Sequence, residues 1–328
     1  MILTLAGPFG GCGGGGGGGE QGGTTGQAGA GSPGVAGSTG NAGTTGAAGS
    51  SGVAGSSGVA GTTGSAGSTG TAGGTGAGCA PGTLATSGTL NGRFGSTHVT
   101  ASGSDYFLQV NEWNASATQT MAYGGSFAFK MTTQMASVAT NGGPTGFPSM
   151  FIGANSNHAT TGSNLPKAVS ALTTVPTTWN WNDNGTLADA TNNSYNATYD
   201  VWFSTNPAGE PAASGPSGGF LMVWLHKPAD AQPIGSVATG NHAVTIAGVP
   251  GTWDVWIGTN NSRPCISYVA TQTTLSLSFD LNRFIQDAVN NRPNTIQSGW
   301  YLSNVFTGFE IWRGGVNLES TGFCAAVN

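Results

Sequence analysis

The chain of 328 residues contains 59 glycines, only 6% charged side chains and a formal net charge of −5 at pH 7. Eight Lys and Arg in all exclude nucleic acid as a partner, because phosphate binding needs clustered cations. A neutral chain rich in Thr, Ser, Asn and Gly suits an uncharged, hydroxyl-rich partner instead.

Residues 1–22 open on a short apolar run, MILTLAGPFGGC, followed by glycines. They are read as a signal or lipoprotein remnant, with Cys12 as a possible lipid anchor, and this implies an extracellular or cell-surface location. Against that reading, no Lys or Arg precedes the run, and the run is shorter than a secretory h-region. Residues 23–82 form a low-complexity spacer in which glycine occupies every third position from Gly31 to Gly76. The period is that of collagen, where only glycine fits the crowded axis. Pro33 is the only proline within the repeat, so nothing pre-sets a polyproline II conformation. A flexible tether is the first reading and an assembled triple helix the second.

From residue 83 to 328 the pattern changes to short alternating segments bounded by Gly, Pro and Asn. That length, roughly 250 residues, is enough to bury one core. Strands are expected at 107–113, 126–131, 195–203, 219–225, 252–257, 265–269, 275–279, 308–312 and 316–327. Many β-branched and aromatic residues at period two predict an all-β sandwich of the jelly-roll kind. One segment departs from this. Leu281, Phe284, Ile285, Ala288 and Val289 recur at helical spacing, with Asp280 placed to cap the start, and predict a single helix over 281–291.

The cysteines Cys12, Cys79, Cys265 and Cys324 show no spacing suited to zinc, so no metal or cofactor is expected. Cys265 and Cys324 are the first candidates for a disulfide, and Cys79 is the rival partner. His98, His158, His226 and His242 are isolated in sequence and are read as surface or turn residues.

The most specific stretches are FLMVWL at 220–225, followed by QPIGS at 232–236, and TGFEIWRGG at 307–315. With YDVWF at 199–203 and VPTT at 175–178, they resemble the strands of glycoside hydrolase family 12, β-sandwich endoglucanases that cut β-1,4-glucans. In that family the first of these strands reads Glu-Leu-Met-Ile-Trp-Leu and opens on the nucleophile. Here that position is Phe220. The resemblance implies that Glu310 is the acid/base and that Asp200 is the carboxylate beside the nucleophile. It places Asn111 and Trp113, in an Asn-x-Trp motif, in a sugar-binding cleft. Trp181, Met222 and Pro233 are further substrate-binding candidates, the partner is a cellulose- or xyloglucan-like β-glucan, and the domain is expected to be monomeric.

A phenyl ring cannot form a glycosyl ester. Of the five glutamates, Glu20 lies in the spacer, Glu210 is in a turn-rich segment ten residues before Phe220, and Glu112 alternates away from Trp113. Asp200 is the best substitute. It would act as base to a water in an inverting reaction, which tolerates carboxyl separations of about 6.5 to 9.5 Å. Two functions therefore stand side by side: a glucan hydrolase that does not use the retaining route, and a glucan-binding module without turnover.

Overall fold

The computed structural model describes residues 84–328 apart from 85, 102–103, 114–117, 125–126, 136 and 208–214. The expected signal remnant, the glycine-repeat spacer, Cys12, Cys79 and Glu210 lie outside the described residues.

The first strands are β1 (Thr86–Asn91), β2 (Ser96–Ala101), β3 (Ser104–Gln109), β4 (Gln119–Gly124), β5 (Ala128–Gln134) and β6 (Ser149–Asn155). Next come β7 (His158–Ala159), β8 (Lys167–Ala168), β9 (Pro176–Asn182), β10 (Ser194–Tyr195), β11 (Ala197–Ser204), β12 (Phe220–His226) and β13 (Ser236–Val237). The chain continues with β14 (Trp253–Asn260), β15 (Arg263–Ala270), β16 (Ser276–Asp280), α1 (Asn282–Asn291), β17 (Tyr301–Gly308), β18 (Ile311–Arg313) and β19 (Glu319–Ala325).

The smaller sheet has six strands in the order β1-β4-β5-β19-β9-β16. The larger runs β13-β14-β15-β12-β11-β17-β6-β3-β2, with β7 beside β6 and β8 beside β17. All pairings are antiparallel except that of β12 with β15. This is the expected sandwich with one helix.

Alternation builds the core between the sheets. Tyr199, Val201, Leu221, Val223, Ile266 and Tyr268 of the larger sheet meet Phe129, Met131, Trp179 and Phe323 of the smaller. Trp179 is its aromatic hub, with Tyr199 and Phe309 packed on its ring and its indole N–H donating to Ser320 Oγ at 3.0 Å. The helix begins one residue later than expected. Phe284 packs its ring against Trp253, Tyr268 and Phe279. The Asp280 carboxylate accepts the Asn282 N–H at 3.1 Å and the Val175 N–H at 2.7 Å, tying the helix start to the residue that leads into β9.

The larger sheet is buried on both faces. Every residue of β11, and all of β12 but His226, is buried. A strand covered on both sides reads as a continuous apolar run, which is why residues 220–225 show so weak an alternation.

Two expectations fail. Cys265 and Cys324 are both disulfide-bonded, but not to each other. Cys265 turns toward the face of the larger sheet away from the core, whereas Cys324 follows core residue Phe323 on the smaller sheet and so points outward on the opposite side. The strand expected over 308–312 is interrupted, because β17 ends at Gly308 and β18 starts at Ile311. Glu310 lies in that break.

After β12, the turn into β13 depends on Gly235. Its φ is +91°, and a Cβ there would stand 2.0 Å from the Ile257 carbonyl oxygen of β14. Gly235→Ala therefore combines a left-handed backbone with a backbone collision. A loss of about 3 kcal/mol in urea unfolding is expected; an unchanged midpoint would mean that the turn yields freely.

Candidate active site

The face of the larger sheet turned away from the core, here called the far face, carries its own cluster. It contains Phe107, Phe151, Trp202, Phe220, Met222, Trp224, Cys265 and Phe306, with Trp312 packed among them. Along β11 and β12 the even-numbered residues point this way. The register sets Asp200 opposite Met222 and Trp202 opposite Phe220. On the other side of β11, Asp200 faces Phe306; on the other side of β12, Phe220 is level with Cys265.

Phe220 is fully buried and stacks on Trp202, with ring centroids 4.3 Å apart and planes 19° from parallel. The Arg263 guanidinium lies 5.9 Å above the Trp202 ring. The row that should hold an attacking carboxylate is thus Trp202, Phe220 and Cys265.

The two carboxyls of interest lie on one side of this row: Asp200 is in the next row, with Met222 and Ser267, and Glu310 follows Gly308, which is opposite Thr198. Asp200 accepts a hydrogen bond from Trp202 Nε1 at 2.8 Å through Oδ2, and its Oδ1 has no partner among the described residues. Burial pushes its pKa up to about 7, against the opposing pull of that indole and the Val201 backbone. Glu310 is fully buried, and burial followed by the nearby Asp200 charge raises its pKa to about 8. Asn196, between β10 and β11, grips Glu310 with three hydrogen bonds. Asn196 N donates to the Glu310 carbonyl at 2.9 Å, Glu310 N to Asn196 Oδ1 at 2.9 Å, and Asn196 Nδ2 to Glu310 Oε2 at 2.5 Å. Glu310 Oε1 has no partner among the described residues.

Two buried carboxyls with raised pKa values, each with one unpartnered oxygen, form the kind of pair used in acid/base chemistry. The model of the family described as "Glycosyl hydrolase family 12" matches residues 104–328, which include both. The chain belongs to glycosyl hydrolase family 12.

Among family 12 relatives, the probable cellulase Cel12b of Mycobacterium tuberculosis is 31% identical over 167 residues, covering 51% of this chain and 99% of that protein. The xyloglucan-specific endo-beta-1,4-glucanase A of Emericella nidulans is 33% identical over 146 residues, or 44% of this chain. That match spans only 55% of the Emericella protein. The endoglucanase cel12A from Rhodothermus marinus shares the fold at a TM-score of 0.64 and 33% identity, covering 74% of this chain and 99% of that one.

The remaining residues suggested by the family 12 motifs fall in different places. Asn111 has a φ of +47°, and its Oδ1 accepts the Trp113 indole N–H at 2.7 Å. Trp113, half-buried, packs against the far-face cluster. The alternation continues through Asn111, so Glu112 points away from Trp113 and is buried, with neither carboxylate oxygen partnered among the described residues, and burial raises its pKa. Met222 sits on the far face between Asp200 and Ser267. Pro233 is buried in the connection from β12, between Ala231 and Ile234, which both join the same cluster.

Trp181 is a correction. It belongs to the core between the sheets, 3% exposed, edge-on to Tyr195 and Phe309, with its indole N–H donating to the Thr274 carbonyl at 2.9 Å. The family resemblance offered it as a substrate-binding candidate, but its place on β9 turns it into the core between the sheets.

The histidines are less isolated than their spacing suggested. His158 stacks on Phe107 at 4.2 Å and His98 meets the same ring edge-on at 5.1 Å. His226 lines a cavity of about 470 Å³ with Tyr195, Lys227 and Asp230. Burial lowers its pKa to about 4, so its ring is neutral at pH 7. Among the described residues no group of three His, Cys, Asp or Glu side chains is placed to hold a metal ion.

Sequence reasoning missed Asn196, Phe151 and Phe306. Asn196 offered no signal beyond an Asn between two strand-like runs. The phenylalanines could have been found by carrying the period-two pattern through residues 149–155 and 301–308.

Proposed function

We propose that this protein is an exported, β-1,4-glucan-directed member of family 12 that hydrolyses its substrate by single displacement instead of through a glycosyl-enzyme ester. Glu310 gives its proton to the glycosidic oxygen as the C1–O bond breaks. A water adds to C1 from the other face and passes its proton to Asp200, so the new reducing end has the α configuration. The observation that carries this reading is the Phe220–Trp202 stack. It fills the nucleophile row with rings, yet leaves two carboxyls with unpartnered oxygens beside it. The raised pKa of Glu310 keeps its proton available at pH 7, and that of Asp200 puts a base near the working pH. The names of the relatives point to cellulose-like or xyloglucan chains as the substrate class.

The same stack favours a second reading, glucan binding without turnover, because it covers part of the floor with an inert surface. The test is reducing-sugar release from barley β-glucan, carboxymethylcellulose and xyloglucan, followed by NMR of the first-formed anomer. Release of the α anomer by the wild type, abolished in Glu310→Gln and Asp200→Asn, is the expected result. First-formed β anomer would overturn single displacement; retarded migration in glucan-containing gels without sugar release would favour the binding module.

A further inference from the structure

We propose that Asn196 is a positioning residue that decides which oxygen of Glu310 carries the proton, reserving Oε1 for delivery to the substrate. This rests on the reading of Glu310 as the acid. An Asn side chain can be turned either way about its amide, but here the orientation is set by chemistry. Its Oδ1 accepts the Glu310 backbone N–H at 2.9 Å, a role that only oxygen can fill. The other end, aimed at Oε2 from 2.5 Å, is therefore the NH₂ group.

An NH₂ group has hydrogens to give and no lone pair to accept one. Oε2 must then serve as the acceptor whether or not Glu310 is protonated, and the acid's hydrogen resides on Oε1. Oε1 is the oxygen without a partner among the described residues. A third bond, from Asn196 N to the Glu310 carbonyl at 2.9 Å, locks both backbones in place across the break between β17 and β18. That break frees Glu310 from the regular ladder, and Asn196 replaces the lost pairing.

The hydrogen bond from Nδ2 also stabilises the charged form of Glu310, against burial and the Asp200 carboxylate, both of which favour the neutral form. Removing it should raise the pKa of Glu310, and a role confined to backbone bracing would leave that pKa where it is.

The test is infrared difference spectroscopy on the full chain across the titration, with the Glu310 C=O band identified by its absence in Glu310→Gln. In the wild type the band is expected at the lower frequency of a carbonyl that accepts a hydrogen bond. In Asn196→Ala and Asn196→Ser it should move up to the frequency of a free acid, and the apparent pKa should rise by about one unit or more. A wild-type band already at the free-acid frequency, or a band and pKa unmoved in folded Asn196→Ala or Asn196→Ser, would overturn the proposal. The wild-type measurement decides the matter even if both variants fail to fold. Because the readout needs no turnover, absence of hydrolysis with the expected spectra would sink the functional reading and leave the Asn196 assignment standing.

Discussion

The domain is expected to lose stability as the pH rises from 6.5 to 8. Glu310 has an ordinary pKa of 4.5 and is raised to about 8 in the fold; Asp200 goes from 3.8 to about 7. Between those limits the folded state holds protons that the unfolded chain has released, so raising the pH draws the equilibrium toward unfolding. Glu112, also raised by burial, acts in the same direction. His226 opposes them, but only at lower pH. Its pKa falls from 6.5 to about 4, so the unfolded chain binds the extra proton there, and that contribution to stability is complete once the pH exceeds 6.5. His158, lowered chiefly by burial, behaves alike. Above pH 6.5 the carboxyls act without that opposition. A loss of about 2 kcal/mol is expected across this window, or about 5 °C in Tm for a domain of this size. Calorimetry should find the slope largely removed in Glu310→Gln. A wild-type Tm that is flat or rising over the same interval would mean that the two carboxyls are ionised within the fold.

Phe220→Glu should exchange stability for chemistry. The phenyl ring is fully buried, stacks on Trp202 and sits among apolar side chains. Replacing it by a carboxyl removes that packing and buries a polar group beside Asp200, at a cost of about 3–5 kcal/mol. In return the variant has an oxygen nucleophile on the far face, one strand from Asp200 and on the same side as Glu310. It should then hydrolyse β-glucan with retention and be labelled at position 220 by an activated 2-deoxy-2-fluoro cellobioside, as a double displacement requires. Phe220→Ala should pay the packing cost without gaining either property. A folded Phe220→Glu that neither turns over nor labels would mean that the surrounding site has lost more than its nucleophile.

Much of the architecture was legible in residues 84–328 because alternation and the helical spacing of Leu281, Phe284, Ile285 and Ala288 are one-dimensional patterns. Glu310 could be found for a different reason: its flanking Phe309, Trp312 and paired glycines are distinctive as a string. The orientation of Asn196 could not be read, since it depends on a backbone break more than 110 residues away in the chain. Trp181 was misassigned because a motif match places a residue in the chain but does not say toward which side of its sheet the side chain turns. The cysteine pairing failed likewise, as Cys265 and Cys324 both looked like strand residues and only three-dimensional placement separates their faces.

The double burial of β12 has a practical corollary for anyone diversifying this protein. Along residues 220–225 the odd positions answer to the packing between sheets and the even ones to the buried cluster on the far face. Randomised codons in this stretch should cost stability at either parity, odd sites through the core between the sheets and even sites through the far-face cluster. A library confined to positions 220, 222 and 224 would leave the packing between the sheets intact but would still disturb the buried cluster on the far face.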